Sequence, residues 1–121
     1  KYINMPECEV KFTLDNETLT KLKGAASTLG HEEVSITPGE GVLTLSVLDK
    51  DNSTSNTYSI DVPFETKADS AFNFVINISN LRLIPGTYEV SISSKLISEF
   101  KNKDVNVTYW IALEKSSTIG V

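Results

Sequence analysis

The residues that could do chemistry are few and scattered along this chain. His31 is the only histidine, and it stands beside Glu32 and Glu33, which in principle is an acid–base arrangement. Because His31 directly follows Gly30, a residue typical of a helix end, we interpret it as a solvated turn residue. Cys8 is the only cysteine, so no internal disulfide is possible. No nucleophile elbow or phosphate-binding loop is present, and the sequence predicts a protein without catalytic activity.

One acidic segment imitates the start of a calcium-binding loop. In Asp49–Ser53 the side chains of Asp49, Asp51 and Ser53 place oxygen atoms at every second position, as such loops do. However, Thr54 stands where the loop requires glycine for its sharp turn, and Ile60 stands where it requires a bidentate glutamate. We interpret the segment as a hairpin loop, and we expect neither a metal nor any other cofactor.

Positive charge is sparse. The chain has 11 Lys and Arg residues against 16 Asp and Glu, which gives a net charge of −5. Because phosphate binding requires clustered cations, composition alone argues against nucleic-acid binding. Lys21 and Lys23 flank the polar side of a helix predicted at Asn16–Leu29, and Arg82 is the only arginine. In a domain of unspecified family, all three are best interpreted as ordinary solvated side chains.

The first half of the chain predicts a β-α-β-β-β unit. Val10–Leu14 alternates apolar and polar residues, which indicates a strand. Asp15 and Asn16 can cap a helix over Asn16–Leu29, and Gly30 can end it. The helix has one apolar stripe, formed by Leu19, Leu22, Ala26 and Leu29. Three further strands are predicted, at Glu33–Thr37, Val42–Asp49 and Tyr58–Val62.

The second half repeats this order without obvious sequence identity. Phe72–Ile78 alternates as a strand, and Ser79–Ile84 predicts at most one or two helical turns, ended by Pro85 and Gly86. Three more strands are predicted, at Tyr88–Ile92, Leu96–Phe100 and Val105–Leu113. At 121 residues the chain has the length of one ordinary domain. The pattern predicts an α+β fold with a mostly antiparallel sheet.

Four segments together resemble a known family: INMPECEVKF, LTKLKGAAS, AFNFVINISNLRLIPGTYEV and TYWIALEKSS. They are similar to parts of the second domain of the DNA polymerase sliding clamp, or processivity factor, of T-even-like bacteriophages. The resemblance implies a DNA-clamp domain, with two β-α-β-β-β units, curved sheets and both helices on the inner face. It also implies that residues 1–7 end an interdomain connector and that residues 8–121 form the C-terminal domain of a longer subunit.

The resemblance implies a function without catalysis. Such a domain is part of a ring that encircles duplex DNA and tethers the replicative polymerase for processive synthesis. The implied partners are duplex DNA, the polymerase, a clamp loader and further copies in a trimeric ring, but no membrane. The implied location is the cytoplasm of an infected bacterium, and this piece alone is expected to be monomeric. Lys21, Lys23 and Arg82 are implied to face DNA, although Gly24 and Ser27 stand where more positive charge is expected.

The resemblance implies two further sites. A pocket for partner peptides lies between the connector and the final strand, and carrying it over by position gives Met5, Pro6, Trp110 and Leu113. For Trp110, an ordinary core position is an equally open interpretation. The subunit-interface edge is the last strand of the first half, with Tyr58, Ile60 and Val62. Exposed strand edges readily pair with another chain.

A second interpretation of the whole chain is a non-enzymatic, β-rich virion surface or adhesion module. It accounts for the many Ser, Thr and Asn residues, the acidity and the lack of catalytic groups. It predicts turns at sandwich spacing and no amphipathic helix near the start of the chain. The helix predicted at Asn16–Leu29 therefore separates the two interpretations.

Overall fold

A computed structural model of the chain describes Cys8 and residues 10–39, 41–48, 57–63 and 72–119. Both halves have the predicted strands in the predicted order, with ends that differ by a few residues at most. The elements are β1 (Val10–Leu14), α1 (Asn16–Leu29), β2 (Glu33–Pro38), β3 (Val42–Leu48), β4 (Tyr58–Pro63), β5 (Phe72–Asn77), a 3-10 turn (Ile78–Asn80), β6 (Tyr88–Ser93), β7 (Ile97–Asn102), β8 (Thr108–Ala112) and β9 (Thr118–Ile119).

The two halves exchange their first strands. One sheet has the order β1-β6-β7-β8, and the other has the order β4-β3-β2-β5-β9. Thus β1 leaves its own half and pairs antiparallel with β6, with Val10 opposite Ile92. Conversely, β5 pairs antiparallel with β2, with Val34 opposite Ile76. The predicted α+β fold with mostly antiparallel sheets is confirmed, and this exchange ties the halves into one unit.

The apolar sides of both sheets and one stripe of α1 close a common core. Helix α1 packs on β3 and β4, and β1 also contacts β4. Strand β2 lies in the middle of its sheet, so even its polar Ser35 is buried, and the Ser35 hydroxyl donates to Asn73 Oδ1. The most deeply buried large side chains are Tyr88, Phe74, Phe100, Leu22, Leu43 and Leu45.

Helix α1 begins and ends as its sequence predicts. The carboxylate of Asp15 accepts a 2.7 Å hydrogen bond from the Thr18 backbone N–H. Gly30 adopts a left-handed conformation with φ of 71°, which glycine tolerates without steric cost. Three of the four stripe residues are buried and Leu29 is half-buried against the core. The local signals and the tertiary packing therefore agree.

We expect the Asp15→Ala variant to lose about 1 kcal/mol of unfolding free energy at neutral pH, the typical cost of removing an N-cap. Hydrogen bonding from Thr18 holds the pKa of the Asp15 carboxyl below its usual range. Because the pKa is lower in the folded state, the contribution of the cap to the unfolding free energy is complete above the unfolded-state pKa of about 4. It is lost as the pH falls through the folded-state pKa. Urea unfolding at pH 7 and pH 3 checks this. A difference between wild type and variant that persists undiminished at pH 3 would contradict it.

The predicted second helix is only a 3-10 turn of three residues, Ile78–Asn80. The Asn77 side chain accepts from the Ser79 N–H at 2.9 Å, and the Leu81 N–H donates to the Ile78 carbonyl at 3.0 Å. So short a segment cannot nucleate an α-helix, and Pro85 lacks the N–H to continue one. The expectation of two helices on one face is therefore not confirmed, because the described part of the chain has one α-helix and this 3-10 turn. Residues 81–86 form an irregular loop.

Gly86 occupies a position that a larger residue cannot share. Its φ is 144°, and a Cβ there would lie 2.7 Å from Nδ2 of Asn102. That amide cannot easily move, because its Oδ1 accepts from the backbone N–H groups of Asp104 and Val105 at 2.7 and 3.0 Å. We expect Gly86→Ala to lower the unfolding free energy by about 1–3 kcal/mol, measured by urea titration.

The matched control is Gly24→Ala in α1. Gly24 is exposed, and no atom lies within 4 Å of a Cβ built on it. Because alanine is the better helix former, the control should raise the unfolding free energy by about 0.5–1 kcal/mol. Equal effects at both glycines would show that the close approach of Asn102 to Gly86 does not constrain the fold.

The described part of the chain ends with a short strand that the sequence does not predict. After β8 the backbone crosses to the other sheet, where the Glu114 N–H donates to the Val75 carbonyl at 2.8 Å. The Ser117 hydroxyl accepts from the Val75 N–H at 2.8 Å. Strand β9 then pairs with the start of β5. Two residues are too few to carry an alternating pattern, so this strand is visible only through its pairing.

The prediction that His31 is solvated was wrong, because its exposed fraction is only 8%. Its backbone N–H donates to the Ala26 carbonyl at 2.9 Å, which folds the residue back against the end of α1.

The segment that resembles a calcium loop, 49–53, lies outside the described residues. In the part of the chain that is described, no group of three or more His, Cys, Asp or Glu residues is arranged to hold a metal ion. No helix there is long and apolar enough to cross a membrane.

Candidate functional site

Helix α1 presents a nearly neutral polar surface. Lys21 is half-exposed and its Nζ lies 3.1 Å from Oε2 of Glu17, one turn earlier. The hydrogen bond and charge of Glu17 raise the pKa of Lys21. The lysine therefore keeps its positive charge, but that charge is partly compensated. Lys23 is half-buried on the flank of the helix, and Ser27 is exposed.

Arg82 is the most available of the three predicted DNA-facing cations. It lies in the loop at residues 81–86 and not in a helix, which corrects its predicted setting. Its side chain is exposed, and it forms no ion pair with any described residue. The Gly86 N–H donates to Oδ1 of Asn16 at 3.2 Å, so this loop lies beside the first turn of α1. The structure thus joins the two segments that were predicted to face DNA.

Strand β4 forms an edge of the five-stranded sheet, as its predicted role requires. It pairs with β3 on one side, and no described strand pairs with its other side. Tyr58 and Ile60 are half-buried, whereas Val62 is buried in the core at 5% exposure. The Val62 side chain therefore packs in the core, and only its backbone lies at the edge. Whether the edge meets another subunit stays a prediction.

A mostly apolar groove of about 430 Å³ runs beside this edge, between β4 and α1. Gly24 lies in its wall, and a Cβ built on that residue would meet no atom within 4 Å. The groove adds apolar surface next to the unpaired edge of β4. Its lining residues are Lys21, Gly24, Ala25, Thr28, Leu29 and Tyr58.

Trp110 lies on the outer face of the four-stranded sheet and not in the core. It pairs across β7 and β8 with Glu99, and its indole N–H donates to Oε2 of Glu99 at 3.1 Å. The next pair on the same face is Ile97 with Ala112. Of these apolar residues, Trp110 and Ile97 are half-buried and Ala112 is exposed. We call Ile97, Trp110 and Ala112 the β8 patch.

Two features extend the β8 patch. Leu96, directly before Ile97, is exposed and adopts a left-handed conformation with φ of 68°. A groove of about 360 Å³ follows β8 past Asn80 and Trp110. Sequence analysis missed Leu96, Ile97 and Ala112, because only the β7–β8 register places them around the tryptophan. The one signal in the sequence was the alternation of Phe100 with the charged Glu99 and Lys101, which indicates that Ile97, Glu99 and Lys101 share the exposed face of β7.

Leu113 does not belong to this surface. It is only 6% exposed, and its N–H donates to the Leu96 carbonyl at 3.0 Å, which turns the chain inward after β8. In this fold Leu113 packs in the core, and its place in a partner pocket stays a prediction. Met5 and Pro6, predicted on the opposite side of that pocket, lie outside the described residues.

Comparison with known proteins gives a consistent result. Residues 11–115 match the family model of the gp45 sliding clamp, C-terminal. The chain is 32% identical over 106 residues to a sliding clamp of Vibrio phage KVP40, which covers 86% of this chain and 47% of the relative. It is 28% identical over 124 residues to a sliding clamp of Escherichia phage RB69, which covers 98% of this chain and 53% of the relative. The chain thus spans about half the length of these curated relatives, and it belongs to the family of gp45 sliding clamp C-terminal domains.

Proposed function

We propose that this chain is the second domain of a longer clamp subunit, whose ring encircles duplex DNA and tethers the replicative polymerase. The match to the clamp family over residues 11–115 is the observation that carries the proposal. In this function the domain catalyses no reaction, and it acts inside an infected bacterium. Residues 1–7 would then belong to the connector from the first domain. The adhesion or virion surface alternative is not supported, since it predicts no helix such as α1.

The DNA-facing surface would consist of α1 and the loop at residues 81–86. Arg82 supports this assignment best, because it is exposed and unpaired among the described residues. Lys21 would contribute less, since Glu17 compensates its charge at 3.1 Å. A few weak, water-bridged phosphate contacts hold DNA without stopping a ring from sliding. A net charge of −5 is compatible with this kind of contact.

The partner surface would be the β8 patch. Trp110 is large, half-exposed and fixed by its hydrogen bond to Glu99, which suits an anchor for an apolar peptide side chain. The exposed Leu96 and the groove along β8 enlarge the apolar area around it. Polymerase and clamp loader would dock on this outer face, with the connector closing its far side.

Ring closure would use the free edge of β4. Tyr58 and Ile60 are half-buried there, and the adjacent groove can take an apolar side chain of the incoming subunit. A strand added to β4 would satisfy its unpaired backbone groups. With three such contacts the ring would be a trimer, and a single 121-residue chain would have no partner for this edge.

Sedimentation equilibrium tests this assembly. The 121-residue chain is expected to sediment as a monomer at micromolar concentration, and the full-length subunit as a closed oligomer. Tyr58→Ala in the full-length subunit should weaken the oligomer by on the order of 10-fold or more per contact, while circular dichroism stays native. A full-length subunit that stays monomeric would remove the proposal.

A further inference from the structure

Two tyrosine hydroxyl groups hold one residue of the loop at residues 81–86. The Tyr88 hydroxyl donates to the Ile84 carbonyl at 2.6 Å, and the Ile84 N–H donates to the Tyr109 hydroxyl at 3.2 Å. The two rings lie 6.1 Å apart. Both backbone groups of Ile84 are thus bonded to side chains of the four-stranded sheet, in a segment that has no regular secondary structure.

The loop is also fixed at both ends. Leu81 is buried at 3% exposure, and the Gly86 N–H donates to Asn16 Oδ1 at 3.2 Å. Between these points the side chains of Arg82 and Ile84 stay exposed, the latter at 41%. The loop backbone is therefore fixed at Leu81, Ile84 and Gly86, and the Arg82 side chain extends from this fixed backbone.

The tyrosines are suited to this task. Tyr88 is fully buried and packs edge-on against Phe100, so its hydroxyl has one fixed position. A phenol with its ordinary pKa of about 10 is protonated at neutral pH, and burial raises the pKa of Tyr88 further, so its hydroxyl can donate. Tyr109 points inward from β8, next to the outward-facing Trp110. Neither ring needs its hydroxyl group for packing, because phenylalanine fills almost the same volume.

We propose that Tyr88 and Tyr109 are positioning residues that hold the loop at residues 81–86, so that Arg82 meets the DNA backbone from a fixed place. This inference rests on the proposed function for the role of Arg82. A pre-ordered loop loses little conformational freedom when it contacts a phosphate. The contact can then form and break repeatedly during sliding without refolding of the loop.

Amide hydrogen exchange in the 121-residue chain tests the positioning without DNA. In Tyr109→Phe, which cannot accept the hydrogen bond, the Ile84 amide should exchange about fivefold faster or more relative to Val90 in the core. Ser91→Ala removes a hydroxyl from the adjacent outer face and should leave this ratio unchanged. The ratio also separates local release from global destabilisation, which would accelerate both amides together. An unchanged ratio in both Tyr109→Phe and Tyr88→Phe would overturn the proposal.

A double-mutant cycle in the full-length ring tests the connection to Arg82. The readout is the half-life of run-off from linear duplex DNA with free ends, after loading. Arg82→Ala and Tyr109→Phe should each shorten the half-life by about twofold at low salt, and the double variant should match Arg82→Ala alone. If the half-life of the double variant were shortened by the product of the two single effects, Tyr109 would not act through Arg82. If the wild-type ring does not stay on DNA at all, the proposed function fails, and the exchange measurement alone decides the positioning.

Discussion

Replacing Trp110 by alanine is expected to weaken the binding of the replicative polymerase to the full-length ring by on the order of 100-fold, the usual effect of losing a tryptophan anchor. The indole is the largest member of the β8 patch, and its N–H is already bonded to Glu99 at 3.1 Å. It is therefore held in place before a partner arrives, and truncation would remove both apolar area and shape. Trp110 is the only tryptophan among these 121 residues, so in the 121-residue chain by itself its fluorescence reports on the β8 patch.

Two control variants give this prediction its specificity. Trp110→Phe keeps an aromatic anchor but loses the hydrogen bond to Glu99, so it should retain most of the affinity. Glu89→Gln changes an exposed residue of β6, on the same outer face but away from the patch, and should have no effect. Full polymerase affinity in a folded Trp110→Ala ring would show that the β8 patch is not the docking surface.

Replacing Phe100 by alanine is expected to lower the unfolding free energy by about 3–5 kcal/mol, the usual cost of deleting a buried phenyl ring. Phe100 is 2% exposed on β7 and packs edge-on against Tyr88, with ring centroids 6.4 Å apart. A loss of this size is a large share of the unfolding free energy of about 5–15 kcal/mol that typical domains have. Urea unfolding followed by circular dichroism measures the change.

The neighbouring residue supplies the control for Phe100. Lys101 follows it on β7 and points to the exposed face, so Lys101→Ala should change the unfolding free energy by no more than about 0.5 kcal/mol. A small effect at Phe100, similar to that at Lys101, would mean that the alternation of β7 has the opposite phase. The four-stranded sheet would then bury the wrong face.

Local signals in the sequence were sufficient for most elements. Helix α1 has its cap, stripe and glycine stop within 16 residues of chain, Asp15 to Gly30, and each of these signals acts over a few residues. The longer strands carry the alternation that a half-buried sheet requires. The structure confirms these elements because their propensities and their packing point the same way.

The remaining features depend on contacts that no local pattern contains. The exchange of β1 and β5 between the two halves pairs residues that are far apart in sequence, such as Val10 with Ile92. Strand β9 is only two residues long and exists through its pairing with β5. His31 resembles a solvated turn residue locally, yet the fold covers it.

The candidate site was predictable to the same limited extent. Exposed cations and a lone tryptophan are visible in the sequence, but their neighbours are not. The ion pair from Lys21 to Glu17 follows from helical spacing and was available to prediction. The partners of Trp110 depend on the β7–β8 register, and the burial of Leu113 depends on where β8 ends. Tertiary pairing, not residue type, therefore decides which predicted residues reach a surface.

Retention on circular DNA tests the clamp proposal most directly. The full-length protein would be loaded onto a closed circular duplex by its clamp loader and separated from unbound protein by gel filtration. We predict that it elutes with the circle and is lost when one restriction cut makes the DNA linear, because only topology holds it. Equal retention before and after the cut would indicate ordinary binding, and no retention on the circle would contradict a clamp altogether.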